Sequence, residues 1–118
     1  MNIETTKKED EFFGAYCAAI NFTETGDTDQ PEDAAELCEV FKRESLIDCL
    51  SFYARVACYV SDDKLAQAGH DFWLTRNRHG TGFWDDVPAR GWSEWQSKKF
   101  TVIAEGFGEV DALFEELI

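Results

Sequence analysis

Gln67-Ala68-Gly69-His70-Asp71-Phe72-Trp73-Leu74-Thr75-Arg76-Asn77-Arg78-His79-Gly80-Thr81-Gly82-Phe83-Trp84-Asp85 sets two aromatic pairs, Phe72-Trp73 and Phe83-Trp84, on either side of the polar run Asn77-Arg78-His79-Gly80. Short aromatic runs bounded by Asn and Gly predict two strands, over 70–75 and 82–85, joined by a tight connection. Successive strand side chains point to opposite faces, so one member of each pair must leave the core face. A helix of this chain or a partner must then cover that second face.

Outward from this segment the period is helical. Thr6-Lys7-Lys8-Glu9 has the form of a capping box, and Phe12, Phe13, Tyr16, Cys17 and Ile20 recur behind it at helical spacing, which predicts a helix over about 7–22. Residues 23–30 read as a loop. Pro31, with Glu32 and Asp33 behind it, suits the start of a second helix whose apolar stripe is Leu37, Cys38 and Phe41. Leu46, Leu50, Tyr53, Ala54 and Ala57 form a further stripe, as a continuation of that helix or as a separate one. Ser61 before Asp62 and Asp63 predicts the cap of a short helix ended by Gly69. Beyond the aromatic segment, Ser93-Glu94-Trp95-Gln96 is a second capping-box form, and Phe100, Ile103, Ala104 and Phe107 mark a helix closed by Gly106 and Gly108. Residues 109–118 fit either strand or helix. The expected fold is α+β: a single compact domain over 1–118, with several helices packed on a small antiparallel sheet of two or three strands.

The chain has 118 residues, 44% hydrophobic and 14% aromatic, enough to build a core. No apolar run is long enough for a transmembrane helix, and the polar, acidic N-terminus is neither a signal peptide nor a transit peptide, so the expected location is the cytoplasm. The four cysteines, Cys17, Cys38, Cys49 and Cys58, include no C-x-x-C pair. Cys49 and Cys58 would lie on opposite faces of one helix, and Cys38 and Cys49 roughly 16 Å apart along its axis. They are read as reduced thiols packed as small apolar residues, and no metal and no cofactor is expected.

The net charge is −13, from 24 acidic and 11 basic side chains. Proteins bind nucleic-acid backbones through Lys and Arg that displace counterions, so direct nucleic-acid binding is not expected. The charge is uneven. Residues 1–48 hold 13 acids and 4 bases, whereas 64–100 carry a small basic excess. Asp27, Asp29, Glu32, Asp33, Glu36 and Glu39 form a loop-to-helix acidic strip, with Glu32, Glu36 and Glu39 on one helical face. That strip is either a solvated face or a polyanion-like surface for a partner.

Two imidazoles and two carboxylates near one hairpin, His70, Asp71, His79 and Asp85, together with Arg76, make the one constellation suited to metal binding or acid–base work. The competing reading is a hydrogen-bonded set that fixes the hairpin, with Asp71 or Asp85 pairing with Arg76 and His79 closing the turn. All four tryptophans, Trp73, Trp84, Trp92 and Trp95, fall within this part of the chain. They form either the main core or a stacking platform.

The segment 67–85 resembles a pattern, Q-A-G-H-D-F-W-L-T-R-N-G-H-G-x-G-F-W-D, shared by small proteins of tailed phages and prophages. The later Phe107-Gly108-Glu109-Val110-Asp111 resembles that family's F-G-E-V-D. Arg78 departs from the pattern, which has Gly there. The resemblance implies a phage or prophage origin and brings no activity with it. With the charge map it leads to an expected role: an acidic interaction protein that inhibits a host defence nucleoprotein complex, of anti-CRISPR or anti-restriction type, by occupying its basic nucleic-acid-binding surface. The alternatives are a small enzyme using His70, Asp71 and His79, or an adaptor that binds a host protein through its aromatic segment.

Overall fold

In a computed structural model, which describes residues 3–25, 37–84 and 90–113, four α-helices of twelve residues or more build the core. They are α1 (Lys7–Thr25), α2 (Glu39–Val56), α3 (Leu65–Arg76) and α4 (Glu94–Glu105). Two short 3₁₀ turns, Ala57–Tyr59 and Asp62–Lys64, connect α2 to α3. No strand occurs among the described residues, so the expected α+β fold with its two- or three-stranded sheet is corrected to an all-helical one.

Both expected capping boxes are present, whereas Ser61 makes no side-chain cap bond and its hydroxyl donates to Asp63 Oδ1 instead. Thr6 N donates to Glu9 Oε1 (2.8 Å), and Glu9 N donates to Thr6 Oγ1 (3.1 Å). Ser93 and Gln96 make the same reciprocal pair at the start of α4, at 2.8 and 3.1 Å. Each box satisfies two of the N–H groups that a helix start leaves without a partner.

The largest departure is α3. Residues 70–75, expected as a strand, lie inside a helix whose residues 71–76 are all buried. A helix buried all round carries no polar face, so adjacent aromatics fit both sides of it. Phe72 faces Phe52 of α2 in a stack at 4.3 Å, while Trp73 turns toward α1, edge-on to Tyr16 at 5.5 Å. Gly69, expected to end a helix, sits within this one. A Cβ there would meet the carbonyl oxygen of Phe12 at 2.1 Å, so the missing side chain is what lets α1 and α3 approach backbone to backbone. One apolar cluster then joins Phe12, Tyr16 and Ile20 of α1, Phe41, Phe52 and Val56 of α2, and Phe100 and Ala104 of α4 around α3.

Two other expectations shift. The helix predicted from Pro31 does not run through Leu37 and Cys38: Cys38 is extended (φ −57°, ψ 137°) and caps a helix beginning at Glu39. Residues 31–36 lie outside the described residues. The buried stripe of α2 is Phe41, Ser45, Cys49, Phe52 and Val56, one position back from the predicted stripe. Leu46, Leu50, Tyr53 and Ala57 are only partly buried and Ala54 is exposed.

The end of α3 gives Arg78 its unusual backbone. His79 N donates to Leu74 O (3.1 Å) and Arg78 N to Thr75 O (3.2 Å). Arg78 has φ +54°. These are the two bonds and the left-handed residue of a Schellman terminator, a position that favours glycine. Holding a side chain in that conformation costs roughly 1–2 kcal/mol, offset in part by the greater freedom of an unfolded glycine. Arg78→Gly should therefore raise stability by up to about 1 kcal/mol, read as a higher urea midpoint with an unchanged slope.

Candidate functional site

The polar residues of segment 67–85 are turned inward. Asp71 is fully buried. Its carboxylate accepts from Gln67 Nε2 (3.0 Å to each oxygen), from Trp92 Nε1 (2.9 Å) and from the Arg90 guanidinium, with His70 Nδ1 at 3.4 Å. A buried carboxylate is tolerated only when paired and hydrogen-bonded, and this one is surrounded by donors. Arg90 also donates to Thr81 Oγ1, tying the segment after α3 to the approach to α4. The hairpin reading pairs Arg76 with Asp71 or Asp85; the structure pairs Asp71 with Arg90 and Arg76 with Asp48. Asp85 lies outside the described residues.

Arg76 is 2% exposed and gathers three helices and the C-terminal segment. Its Nη1 donates to Asp48 Oδ2 (2.9 Å) and to the Tyr16 hydroxyl (3.2 Å). Its Nε donates to Gly108 O (2.9 Å) and Nη2 to Phe107 O (3.2 Å). The guanidinium also lies over the rings of Phe72 and Phe107, 5.4 and 5.8 Å from their centroids. Asn77 Oδ1 accepts from Val110 N (2.8 Å). Segments 67–85 and 107–111 are thus hydrogen-bonded to each other through Arg76 and Asn77. Farther on, Thr75 Oγ1 accepts from Phe83 N (3.0 Å), which draws Phe83 into the core. Trp84, next to it, is 40% exposed. The pair 83–84 divides between core and surface as expected; the pair 72–73 does not.

The histidines reach a different place. His70 and His79, with Phe22, Thr23, Leu74, Thr81 and Arg90, line an open cavity of about 770 Å³ beside the ends of α1 and α3. His79 is exposed and lies 6.0 Å from the Trp73 ring. The structure therefore brings His70 and His79 to one cavity while sealing Asp71 behind it. Arg90 and Trp92 were not anticipated, because pairing across some twenty residues leaves no local trace. The Gln67–Asp71 bond, spaced i to i+4, would have been legible had the segment been read as helix.

Of the predicted partner-binding residues, Asp27, Asp29, Glu32, Asp33 and Glu36 lie outside the described residues. Glu39 is exposed in the first turn of α2. Its predicted helical continuity with Glu32 and Glu36 is corrected by the extended backbone at Cys38. Other acids of this half also face outward: Glu4, Asp10, Glu11, Glu24 and Glu44 are exposed. No protein family, curated protein or solved structure matches this chain.

Burial shapes the titration of the core. It pushes the Cys17 thiol up to about 11, the Cys49 thiol well above its usual range, and the Tyr16 phenol upward despite the opposing Arg76 charge. In an unfolded chain the thiols lose their protons near pH ~8.5 and the phenol near ~10. Above those values the folded protein holds more protons than the unfolded one. This contribution is therefore complete below about pH 8 and lost as pH rises, at about 1.4 kcal/mol per pH unit for each group. Urea midpoints should fall steadily between about pH 8.5 and 10.5, and Cys49→Ala should flatten that decline.

Proposed function

We propose that the protein works by association rather than catalysis, as an acidic decoy that occupies a basic, nucleic-acid-binding surface of a macromolecular partner. The supporting observation is the charge of residues 1–48, 13 acids against 4 bases, with the described acids of that half facing outward except for the partly buried Glu9 and Asp48. Fields of one sign steer association with surfaces of the opposite sign and repel like-charged competitors. The inward use of Asp71 and Arg76 supports the same reading, since their hydrogen-bonding capacity is spent on the fold. No helix among the described residues is long and apolar enough to cross a membrane. The resemblance of segments 67–85 and 107–111 to tailed-phage proteins supports a partner in a bacterial cytoplasm, a host defence nucleoprotein.

Immobilised protein should capture a nucleic-acid-binding protein from bacterial lysate at low salt, release it at high salt, and lose it to excess duplex DNA. Capture that duplex DNA does not displace would contradict the decoy reading.

Exposed aromatics favour a second reading, an adaptor. Tyr59 and Trp95 meet edge-on at 4.9 Å, both about half exposed, with the exposed Val102 two turns along α4 from Trp95 and Trp84 also at the surface. An aromatic hot spot would bind with little dependence on salt.

A further inference from the structure

The cavity between the ends of α1 and α3 is unlike the rest of this surface. In a chain with 24 acids and 11 bases, its described lining carries no carboxylate but two imidazoles, His70 and His79, and the Arg90 guanidinium. Asp71, which contacts both His70 and Arg90, is itself buried with 0% exposure and does not line the cavity. The remaining wall is Phe22 and Leu74, with the hydroxyl residues Thr23 and Thr81. Leu74 is buried, whereas Phe22 is 58% exposed beside the opening, a large ring left facing water. At about 770 Å³ the space falls within the range of small-molecule sites, which combine apolar walls with a few polar groups that orient the ligand.

We propose that this cavity binds a small organic anion with a flat ring, of the nucleoside 5′-monophosphate class. The ring would lie against Phe22 and Leu74, and the imidazoles would face the anionic group, beside an Arg90 guanidinium whose Nη groups already bond Asp71 and Thr81. Neither part suffices alone. A bare phosphate would gain only the nitrogen donors, against the repulsion of a protein of net charge −13, and an uncharged nucleoside would gain only the apolar wall. None of the cavity's described lining residues belongs to the acidic strip, and the ligand titration is read separately from the decoy reading.

The test is NMR titration of the whole protein with adenosine 5′-monophosphate, adenosine and inorganic phosphate, following the ring signals of His70, His79 and Phe22. The monophosphate should shift all three and bind at least roughly tenfold more tightly than either fragment, the equivalent of about 1.4 kcal/mol. His79→Ala and Phe22→Ser, both at exposed positions, should each weaken binding roughly tenfold while leaving the circular dichroism spectrum unchanged. No shift at millimolar monophosphate, or equal binding of phosphate alone, would overturn the proposal. So would undiminished affinity in both folded variants.

Discussion

Asp71→Ala should cost about 3–5 kcal/mol, because it leaves the Arg90 guanidinium, 17% exposed, and the buried Trp92 N–H without their common acceptor. Against a total stability of about 5–15 kcal/mol for a domain of this kind, that is a large share. Asp71→Asn keeps the shape and one acceptor oxygen but turns an NH₂ group toward donors, so its cost should be intermediate. Removing Arg90 as well, in Asp71→Ala/Arg90→Met, should recover part of the loss, since the unpaired charge is then gone. Urea midpoints of the three variants measure this directly. Were Asp71 instead a catalytic base or a metal ligand, its removal would leave stability nearly unchanged. A midpoint for Asp71→Ala equal to that of the parent would therefore restore the enzyme reading.

Trp73→Ala should be comparably damaging, at about 3–5 kcal/mol, through the cavity it leaves between α1 and α3. It also removes the donor to Thr23 Oγ1 (2.8 Å), which ties the middle of α3 to the end of α1. Trp84→Ala is the contrast. The sequence suggests that both tryptophans hold the fold, but the Trp84 ring is 40% exposed, and its loss should cost no more than about 1 kcal/mol. Thermal midpoints should separate the two clearly: a collapsed transition for Trp73→Ala and one close to the parent for Trp84→Ala. The folded Trp84→Ala protein is then usable in binding experiments.

What could be read from the sequence was local. Thr6 with Glu9, and Ser93 with Gln96, announced helix starts because a capping box is complete within four residues. The aromatic period from Phe12 to Ile20 placed α1 for the same reason. The stripe of α2 was read one position off because Ser45 and Cys49, small and only weakly apolar, occupy its buried centre. The central helix was misread because its signals conflict. Gly69 looks like a terminator when its role is a close helix crossing, and Phe72-Trp73 looks like a strand because adjacent aromatics suit a helix only when every side is covered. That cover comes from α1, α2 and α4, and no window of the chain contains it. The site divides in the same way. The residues of segment 67–85 could be named, but the inward turn of Asp71 toward Arg90 and the meeting of the two histidines at one cavity are tertiary facts. Arg78 is the instructive intermediate: its oddity against the pattern was visible, and its left-handed backbone supplies the reason.

Charge, rather than the inward-turned polar residues, should therefore carry recognition. The most direct measurement is the association rate of the captured partner with the parent protein and with an Asp27→Asn/Asp29→Asn/Glu32→Gln/Glu36→Gln variant, over a series of salt concentrations. Steered association is fast at low salt and falls steeply as salt screens it. The variant should associate more slowly and with a flatter salt dependence, with dissociation little changed. An unchanged association rate in that variant, together with loss of binding in folded Trp84→Ala, would contradict this and place the interface on the exposed aromatics.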